Sequence, residues 1–398
     1  MDITCLLAVC LIFSPFSQGL RLSHLFQDGM VLQREPELAT IFGFEELIPG
    51  TEAFLTCSLK GKNLPTQVGI PMKTRSGIEG DWTVELPPQE AGTLCDIQIV
   101  GGLEESSLSQ VIFGYVWVCS GQSNMVLPIQ SIFNHSEEIA AASAYSDIRF
   151  TRLHRVPSDV EEADVEPSPW YDTSNKGQIG SFSAVCFLYA RNVYDQLGVP
   201  IGLIESAVGG TRIEAWSNKE ALNACEIEDN VEPEDPKNSN TYLWNSMIAP
   251  LRKMTVKGFL WYQGEGNQGW NMDKYNCTFP TLISSWREQF SMMSNTSPDA
   301  PFGFVMLSTI MYDSAQTQYP RLRRHQTADY NFVPNAVMPN TFMATAVDTY
   351  DEENGIHPRY KQIVGERLAY SGLAVAYGLD NFPINGPTSS EITVTKTV

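Results

Sequence analysis

Positive charge is scarce in this sequence. Its 398 residues include 26 Lys and Arg against 46 Asp and Glu, which gives a formal net charge of −20 at pH 7. A chain this acidic repels phosphate backbones and anionic lipid surfaces, so nucleic-acid binding is not expected. An anionic substrate would need a local cation to hold it against the overall field.

The patterns of metal and cofactor sites are also missing. The sequence contains no Cys-x-x-Cys or His-x-x-x-His spacing, which argues against a structural zinc site. It contains no glycine-rich loop of the phosphate-binding kind. We therefore expect neither a metal nor a cofactor.

Long apolar runs are absent after the N-terminus. The apolar stretch from Ile3 to Phe13 is too short to span a bilayer, and small residues follow it up to Gly19. This pattern predicts a signal peptide over residues 1–19. A buried N-terminal strand is the alternative, which is disfavoured because the stretch does not alternate. No other segment is long and apolar enough to span a membrane.

Three sequons fit an exported chain. A signal peptide would bring them into the compartment where asparagines receive glycans. Such tripeptides are common by chance, so this expectation depends on the signal peptide. The predicted glycosylation sites are Asn134, Asn276 and Asn295.

Six cysteines remain once Cys5 and Cys10 leave with the signal peptide. An even number in an exported chain permits disulfides. Two of the six lie inside apolar runs and are predicted to be buried free thiols: Cys119 and Cys186. The other four are predicted to pair as Cys57–Cys95 and Cys225–Cys277.

Two sequence patterns divide the rest of the chain. Residues 20–112 hold short β-type runs between Gly, Pro and Asp turns, which predicts a small β-sandwich-like domain. Residues 113–380 alternate apolar strands with helical segments, which predicts a parallel sheet covered by helices on both faces. The last stretch, 381–398, reads as the start of a further β segment that is cut short. The expected fold class is α/β with an added N-terminal β domain.

Four polar, glycine-rich segments follow four of the predicted strands. They are 120–124, 208–211, 263–267 and 348–357. Ligands of open α/β sheets bind outside the carboxyl ends of the strands, and these segments fall on that edge. Turns are generally polar, so one such segment would prove nothing. Four on one edge, carrying Ser, Gly, Gln, Asn and His, predict a site.

Ser123 and His357 are the candidate nucleophile and base of this site. Ester hydrolysis needs both, together with donors for the oxyanion. A surface turn at Ser123 and a helix cap at His357, just before Pro358, are the plain alternatives. The remaining histidines fall in a β run, a sequon, an irregular stretch and a helix: His24, His135, His154 and His325.

The oxyanion would need two or three hydrogen-bond donors. The amide of Ser123 is one candidate. The backbone of Gly209 and Gly210 can approach a ligand closely because it carries no side chain. The side-chain amide of Gln263 or Asn267 is the candidate third donor.

Four segments of the chain resemble the signature blocks of the SGNH hydrolases, and more narrowly the sialate O-acetylesterase family. They are "GQSNM", "SAVGGTRIEAW", "WYQGEGN" and "IHPRYKQ", and the similarity extends over residues 21–385. The resemblance implies a three-layer α/β fold and a serine esterase that removes acetyl groups from sialic acids, in lysosomes or outside the cell. It also implies that Ser123 is the nucleophile and His357 the base, with Gly209, Gly210 and Gln263 in the oxyanion blocks.

The chain departs from the SGNH pattern in two of these blocks. Gly266 occupies the place of the usual oxyanion Asn, which makes Gln263 the substitute. Asn354 stands three residues before His357, where an Asp is usual. We expect a Ser–His dyad with a carbonyl acceptor near Asn354, and Asp348 as the alternative acid partner.

Substrate recognition leaves further alternatives. Arg212 follows the glycine pair and could meet the carboxylate of a sialic acid, although a surface salt bridge is at least as plausible a role. The same blocks would serve an acetylesterase of other polysaccharides, and a glycan-binding protein with a dead site is a third possibility. Positional selectivity and oligomeric state leave no pattern in the sequence.

Overall fold

The computed structural model describes residues 21–44, 52–59, 62–63, 67–71, 73–74, 81–101, 104–310 and 317–386. The strands are β1 Arg21–Leu22, β2 Val31–Gln33, β3 Thr40–Phe44, β4 Glu52–Leu59, β5 Lys62–Asn63, β6 Gln67–Pro71, β7 Lys73–Thr74, β8 Trp82–Glu85, β9 Leu94–Gly101, β10 Glu104–Gly121, β11 Ile148–Arg152, β12 Tyr171–Asp172, β13 Ile201–Ala207, β14 Gly258–Tyr262, β15 Phe302–Met306 and β16 Thr341–Thr345. The predicted signal peptide and residues 387–398 of the predicted last β segment lie outside the described residues.

Eight α-helices accompany these strands in the described part of the chain. They are α1 Ser123–Val126, α2 His135–Ala142, α3 Lys176–Ser181, α4 Ala184–Leu197, α5 Lys219–Ala224, α6 Tyr275–Met293, α7 Gln318–His325 and α8 Lys361–Tyr377. A π-helical turn, Trp244–Ile248, is followed by a 3₁₀ helix, Ala249–Lys253. Pro250 lies at the start of the second segment and has no N–H for a regular helix.

The long strand β10 joins the two regions that the sequence distinguishes. Residues 104–112 pair with β9 in an antiparallel register, and residues 115–121 pair in parallel with β13. The change of partner occurs beside Gly114, where a Cβ would lie 2.1 Å from the carbonyl oxygen of Pro200. One N-terminal sheet, made of β2, β4, β5, β6 and β9, therefore shares a continuous strand with the parallel sheet of the second region, whereas β1, β3, β8 and β7 form a separate four-stranded sheet.

The second region has the predicted parallel sheet. Its strand order is β12-β11-β13-β10-β14-β15-β16, and only the edge pair β11 and β12 is antiparallel. Phe259 and Trp261 project from β14 against Trp286 of α6. Trp117 of β10 meets Tyr189 of α4 and Tyr377 of α8. Trp117 is paired with Gly258, the residue before Phe259, so Trp117 and Phe259 project from opposite faces of the sheet, which confirms helices on both faces.

The cysteines correct one prediction. Cys57–Cys95 and Cys225–Cys277 are disulfides, as expected. Cys119 and Cys186 are also joined, with their Cα atoms 6.0 Å apart, so the expectation of free thiols was wrong. Their apolar surroundings indicated burial correctly, but burial does not reveal that the β10 and α4 cysteines face each other. The third disulfide ties the central strand to the helix covering it.

Candidate active site

Ser123 lies where β10 turns into the short helix α1. The turn depends on Gly121, whose φ is 130° and where a Cβ would lie 2.3 Å from the carbonyl oxygen of Tyr262. Gln122 and Asn124 on either side are buried, whereas Ser123 is partly exposed. The strand therefore ends by presenting one hydroxyl to solvent from a buried backbone.

His357 reaches this hydroxyl from the loop that follows β16. Its Nε2 lies 2.8 Å from Ser123 Oγ, so the hydroxyl can donate to the unprotonated ring nitrogen. Burial of the ring, and then the positive charge of Lys361, lower the pKa of His357 below its ordinary value. A histidine with a lowered pKa stays neutral, and thus able to accept a proton, at lower pH.

The loop carrying His357 is fastened by Asp351 and Arg359. The carboxylate of Asp351 accepts from Arg359 Nε at 2.6 Å, Nη2 at 2.9 Å and the backbone N–H at 3.1 Å. These bonds lower the pKa of Asp351 to about 2. Asn354 donates from Nδ2 to the carbonyl oxygen of His357 at 2.5 Å. The Asp351–Arg359 contact, called the clamp below, joins the two ends of the loop. The hydrogen bond from Asn354 stabilises the turn between them.

The structure does not support Asp348 as the acid partner. Both of its oxygens accept from Arg367, at 2.6 and 2.8 Å, and its side chain is 62% exposed. Asn354 bonds the backbone of His357 rather than its ring. Within the described residues, no hydrogen bond reaches Nδ1 of His357. In the described part of the chain, the hydrogen bond of the His357 ring is thus the one with Ser123.

Gly209 packs directly against the serine. A Cβ placed on Gly209 would lie 3.6 Å from Ser123 Cβ. Lys237 Nζ donates to the carbonyl oxygen of Gly209 at 3.2 Å, and Asn238 Nδ2 to that of Gly210 at 3.0 Å. Among the described residues, no acceptor takes the N–H of Ser123 or of Gly209. Both N–H groups are therefore available beside the hydroxyl.

Gln263 and Asn267 lie inside the protein instead. Gln263 is fully buried, and its Nε2 donates to the carbonyl oxygen of Thr211 at 3.0 Å and to Asn267 Oδ1 at 2.7 Å. Asn267, also buried, donates to Glu214 Oε2 at 2.9 Å. Since an amide group has only two N–H bonds, Gln263 has none left for an oxyanion. In the structure both side chains hold neighbouring segments together, and a role of either in an oxyanion hole stays a prediction.

Three further residues interlock behind the serine and were not singled out by the sequence. Asn124 Nδ2 donates to Glu265 Oε1 at 2.5 Å, and Asn124 Oδ1 accepts from Lys361 Nζ at 2.7 Å. Each of the three lies inside one of the signature blocks. Glu265 and Lys361 are charged residues within signature blocks, and that position is the sequence signal that could have drawn attention to them.

Arg212 lies near the site, but its charge is already paired. Its guanidinium contacts Glu232 and lies 3.8 Å above the ring of Trp270. Lys237 is 38% exposed, and its one carboxylate neighbour, Asp235, is 3.9 Å away. The more loosely paired cation beside the glycine pair is therefore Lys237.

The three sequons differ in accessibility. Asn134 is exposed in a left-handed conformation before α2. Asn276 donates to Asp329 at 2.7 Å, and Asn295 contacts Thr40 at 3.3 Å. Only Asn134, of the three, lies in an exposed position without a hydrogen bond from its amide in the described part of the chain.

The described residues contain no group of three or more His, Cys, Asp or Glu side chains placed to hold a metal ion. None of the helices described is both long enough and apolar enough to cross a bilayer.

Comparison with known proteins covers most of the chain. Residues 114–373 match the family described as carbohydrate esterase, sialic acid-specific acetylesterase. Human sialate O-acetylesterase is 39% identical over 394 residues, which covers 94% of this chain and 74% of the human protein. The rat sialate O-acetylesterase is 38% identical, with 94% and 77% coverage. The solved structure of a carbohydrate acetylesterase from Xanthomonas citri has a TM-score of 0.74 at 28% identity, covering 91% of this chain and 76% of that one.

Proposed function

Because this chain belongs to the sialic acid-specific acetylesterase family and is a carboxylic ester hydrolase, we propose that it cleaves O-acetyl esters of sialic acids through an acyl-enzyme on Ser123. His357 is the general base in this proposal. The observation that carries it is the 2.8 Å contact between Ser123 Oγ and His357 Nε2. That distance lies within the range that proton transfer to a base requires.

The chemistry runs in two halves. His357 Nε2 takes the proton from Ser123 Oγ as the oxygen attacks the acetyl carbonyl. The resulting oxyanion accepts hydrogen bonds from the free N–H groups of Ser123 and Gly209. When the tetrahedral intermediate collapses, the imidazolium gives its proton to the departing sugar oxygen. Water, deprotonated by His357, then attacks the acetyl-serine and releases acetate and the free serine.

The absence of a carboxylate at His357 Nδ1 has a chemical consequence. An acidic partner stabilises the imidazolium and raises the pKa of the ring. Here burial and Lys361 act in the other direction and lower that pKa. The base therefore stays neutral further into the acid range, while the imidazolium formed in the transition state receives less stabilisation.

The experiment that tests the proposal is hydrolysis of an O-acetylated sialic acid by the wild type and by Ser123→Ala. We expect kcat/KM to fall on the order of 10³-fold or more, because the nucleophile is deleted. Circular dichroism and the melting temperature should match those of the wild type, since one partly exposed hydroxyl is removed. Near-normal turnover by a folded Ser123→Ala protein would reject the assignment.

A second candidate substrate is an acetylated neutral polysaccharide, because the similar Xanthomonas citri protein is described only as a carbohydrate acetylesterase. Parallel assays on acetylated sialic acid and acetylated xylan separate the two. A protein that turns over neither, nor a small acetyl ester, would instead be a glycan-binding protein.

Selection of an anionic sugar would fall to Lys237. A carboxylate could approach its exposed ammonium, whereas the charge of Arg212 is taken by Glu232. We expect Lys237→Met to raise KM for acetylated sialic acid by about two- to fivefold, the effect of one exposed ion pair, and to leave KM for a neutral acetyl ester unchanged. Lys219→Met removes another surface lysine that pairs with an aspartate, and is the control. Equal effects of Lys237→Met on both substrates would contradict this role.

The location that we propose is the secretory pathway, ending in lysosomes or outside the cell. Three disulfides support it, since such bonds persist in oxidising compartments. Asn134 is the sequon best placed to carry a glycan. Digestion of the secreted protein with a glycosidase, compared with Asn134→Gln, tests both points.

A further inference from the structure

One buried amide connects three of the four segments at the edge of the sheet. Asn124 follows the candidate nucleophile and is almost fully buried. Its Nδ2 donates to Glu265 Oε1 at 2.5 Å and to the carbonyl oxygen of Ile356 at 2.8 Å. Its Oδ1 accepts from Lys361 Nζ at 2.7 Å. Ile356 immediately precedes His357, so this amide holds the backbone of the base beside the nucleophile.

Lys361 is an unusual residue for its position. It opens α8, four residues after His357, and is fully buried. Its Nζ lies 4.9 Å from the centre of the Tyr262 ring. A buried ammonium is costly unless it is well paired. Within the described residues, no carboxylate lies within 4.0 Å of it, because the Asn124 amide stands between Lys361 and Glu265.

Glu265 completes the arrangement with an unsatisfied atom. Its Oε2 is buried and has no hydrogen-bond partner in the described structure. The same is true of the hydroxyl of Tyr262. Buried polar atoms are normally paired, and unpaired ones concentrate where a protein holds charge for a purpose. A lysine and a glutamate are thus kept apart, on opposite sides of one amide, behind the catalytic pair.

We propose that Lys361 is a positioning residue whose charge keeps the His357 ring neutral, and that Asn124 and Glu265 hold Lys361 and the base loop in register with Ser123. This inference rests on the proposed function of Ser123 and His357. In this proposal the contacts among Asn124, Glu265 and Lys361 help to set the pH at which His357 acts as a base.

The charged groups around the two residues support this role. Burial lowers the pKa of Lys361 to about 7, and the charges of Glu265 and Asp351 oppose that change. Lys361 therefore carries its charge below about pH 7, in the range where a histidine titrates. The tyrosines on that side, Tyr262 and Tyr319, have raised pKa values and stay neutral there.

Three carboxylates of the base loop pair with arginines, and a fourth, Glu352, is exposed. Asp351 and Glu353 bond Arg359, and Asp348 bonds Arg367. Burial of the ring and, after it, the positive charge of Lys361 lower the pKa of His357. Removing that charge should therefore let the ring take up a proton at higher pH.

The test uses Lys361→Met and Lys361→Gln in the full-length protein. The acid limb of the pH profile of kcat/KM should move to higher pH in both variants. The ratio of variant to wild-type kcat/KM should be several-fold lower on the acid side of the profile than on its plateau. Gln keeps an N–H for Asn124 and therefore carries the test if the Met variant does not fold. If the lysine acted only as a hydrogen-bond donor, Gln would restore the wild-type limb, and the inference would be overturned.

Lys257→Met is the matched control. Lys257 is also largely buried, and its ammonium lies over the rings of Tyr115 and Tyr377, away from the catalytic pair. Its substitution should leave the acid limb where it is in the wild type. A limb shift as large as that of Lys361→Gln would contradict the specific role of Lys361.

A second readout separates this inference from the proposed function. NMR titration of the His357 ring in Ser123→Ala requires no turnover. Adding Lys361→Gln to that background should raise the ring pKa. An unchanged titration would overturn the role of Lys361 even if the wild type is an active esterase. An inactive wild type with a shifted ring titration would instead defeat the proposed function alone.

Discussion

Ser123 and His357 meet at 2.8 Å but are held by different kinds of structure. Ser123 follows the central strand of the parallel sheet, with buried residues on both sides. His357 lies on a loop in which Glu352, Asn354 and Ile356 are exposed. Ser123 is held by backbone packing, whereas His357 is held by polar side-chain contacts.

This difference predicts which conditions disturb each half of the site. The contacts that hold the base involve titratable groups, Asp351 and Lys361, so pH and single polar substitutions should act there. The nucleophile turn depends on Gly121 and on the sheet, so it should respond to changes in global stability. The two halves can therefore be perturbed separately.

The largest effect is expected from removing the base. His357→Ala should lower kcat/KM on the order of 10³-fold or more, because nothing then takes the Ser123 proton. Since the two residues act as a unit, Ser123→Ala/His357→Ala should be no worse than either single variant. If the losses of kcat/KM in the two single variants multiplied in the double variant, the residues would act independently and the proposed pair would be contradicted.

A smaller effect should follow from opening the clamp. Asp351→Asn should lower kcat/KM on the order of ten- to a hundredfold near neutral pH, the effect of a slightly misplaced catalytic group. The matched control is Asp348→Asn, whose exposed carboxylate pairs with Arg367 on the same loop and should be close to wild type. A collapse of kcat in Asp348→Asn would restore a catalytic triad.

The same clamp gives a pH dependence with a defined sign. The pKa of Asp351 is lowered to about 2 in the folded protein. Its stabilising contribution is therefore complete above the ordinary aspartate pKa of about 4 and is lost as pH falls toward 2. In wild-type urea unfolding curves this loss should appear over that window, and in Asp351→Asn it should be absent.

The nucleophile side should respond in stability rather than in catalysis. Cys119→Ala/Cys186→Ala opens a disulfide spanning 67 residues, so we expect the free energy of unfolding to drop by about 4 kcal/mol. At 25 °C, kcat/KM of the folded variant should stay within about twofold of the wild type, since the turn at Gly121 is unchanged. A folded variant with little activity would mean that the disulfide, and not the strand packing, positions Ser123.

Much of this organisation can be predicted from the sequence, for physical reasons. Alternating apolar strands and helices fix the parallel sheet, and the sheet brings its polar strand ends to one edge. That placement was enough to pair Ser123 with His357 across 234 positions of the chain. The glycines at 209 and 210 were singled out because a backbone without side chains can approach a ligand closely, and Gly209 lies beside Ser123 in the structure.

The rest depends on side-chain direction, which strand order does not determine. Gln263 lies in the correct segment, yet its amide turns inward to Thr211 and Asn267. Asp348 lies in the base loop, yet Arg367 of α8 takes both of its oxygens. Lys361 looks like the first charged residue of a surface helix until the fold buries it. Where several groups lie nearby, packing determines which of them becomes the hydrogen-bond partner of a side chain.

The measurement that tests the central claim most directly is covalent labelling with a fluorophosphonate, followed by mass spectrometry of the peptides. The account predicts one phosphonylated residue, Ser123, and a labelling rate that collapses in His357→Ala but stays near the wild-type rate in Asp348→Asn. A label on any other residue, or full-rate labelling of Ser123 without His357, would contradict the assignment of this pair as nucleophile and base.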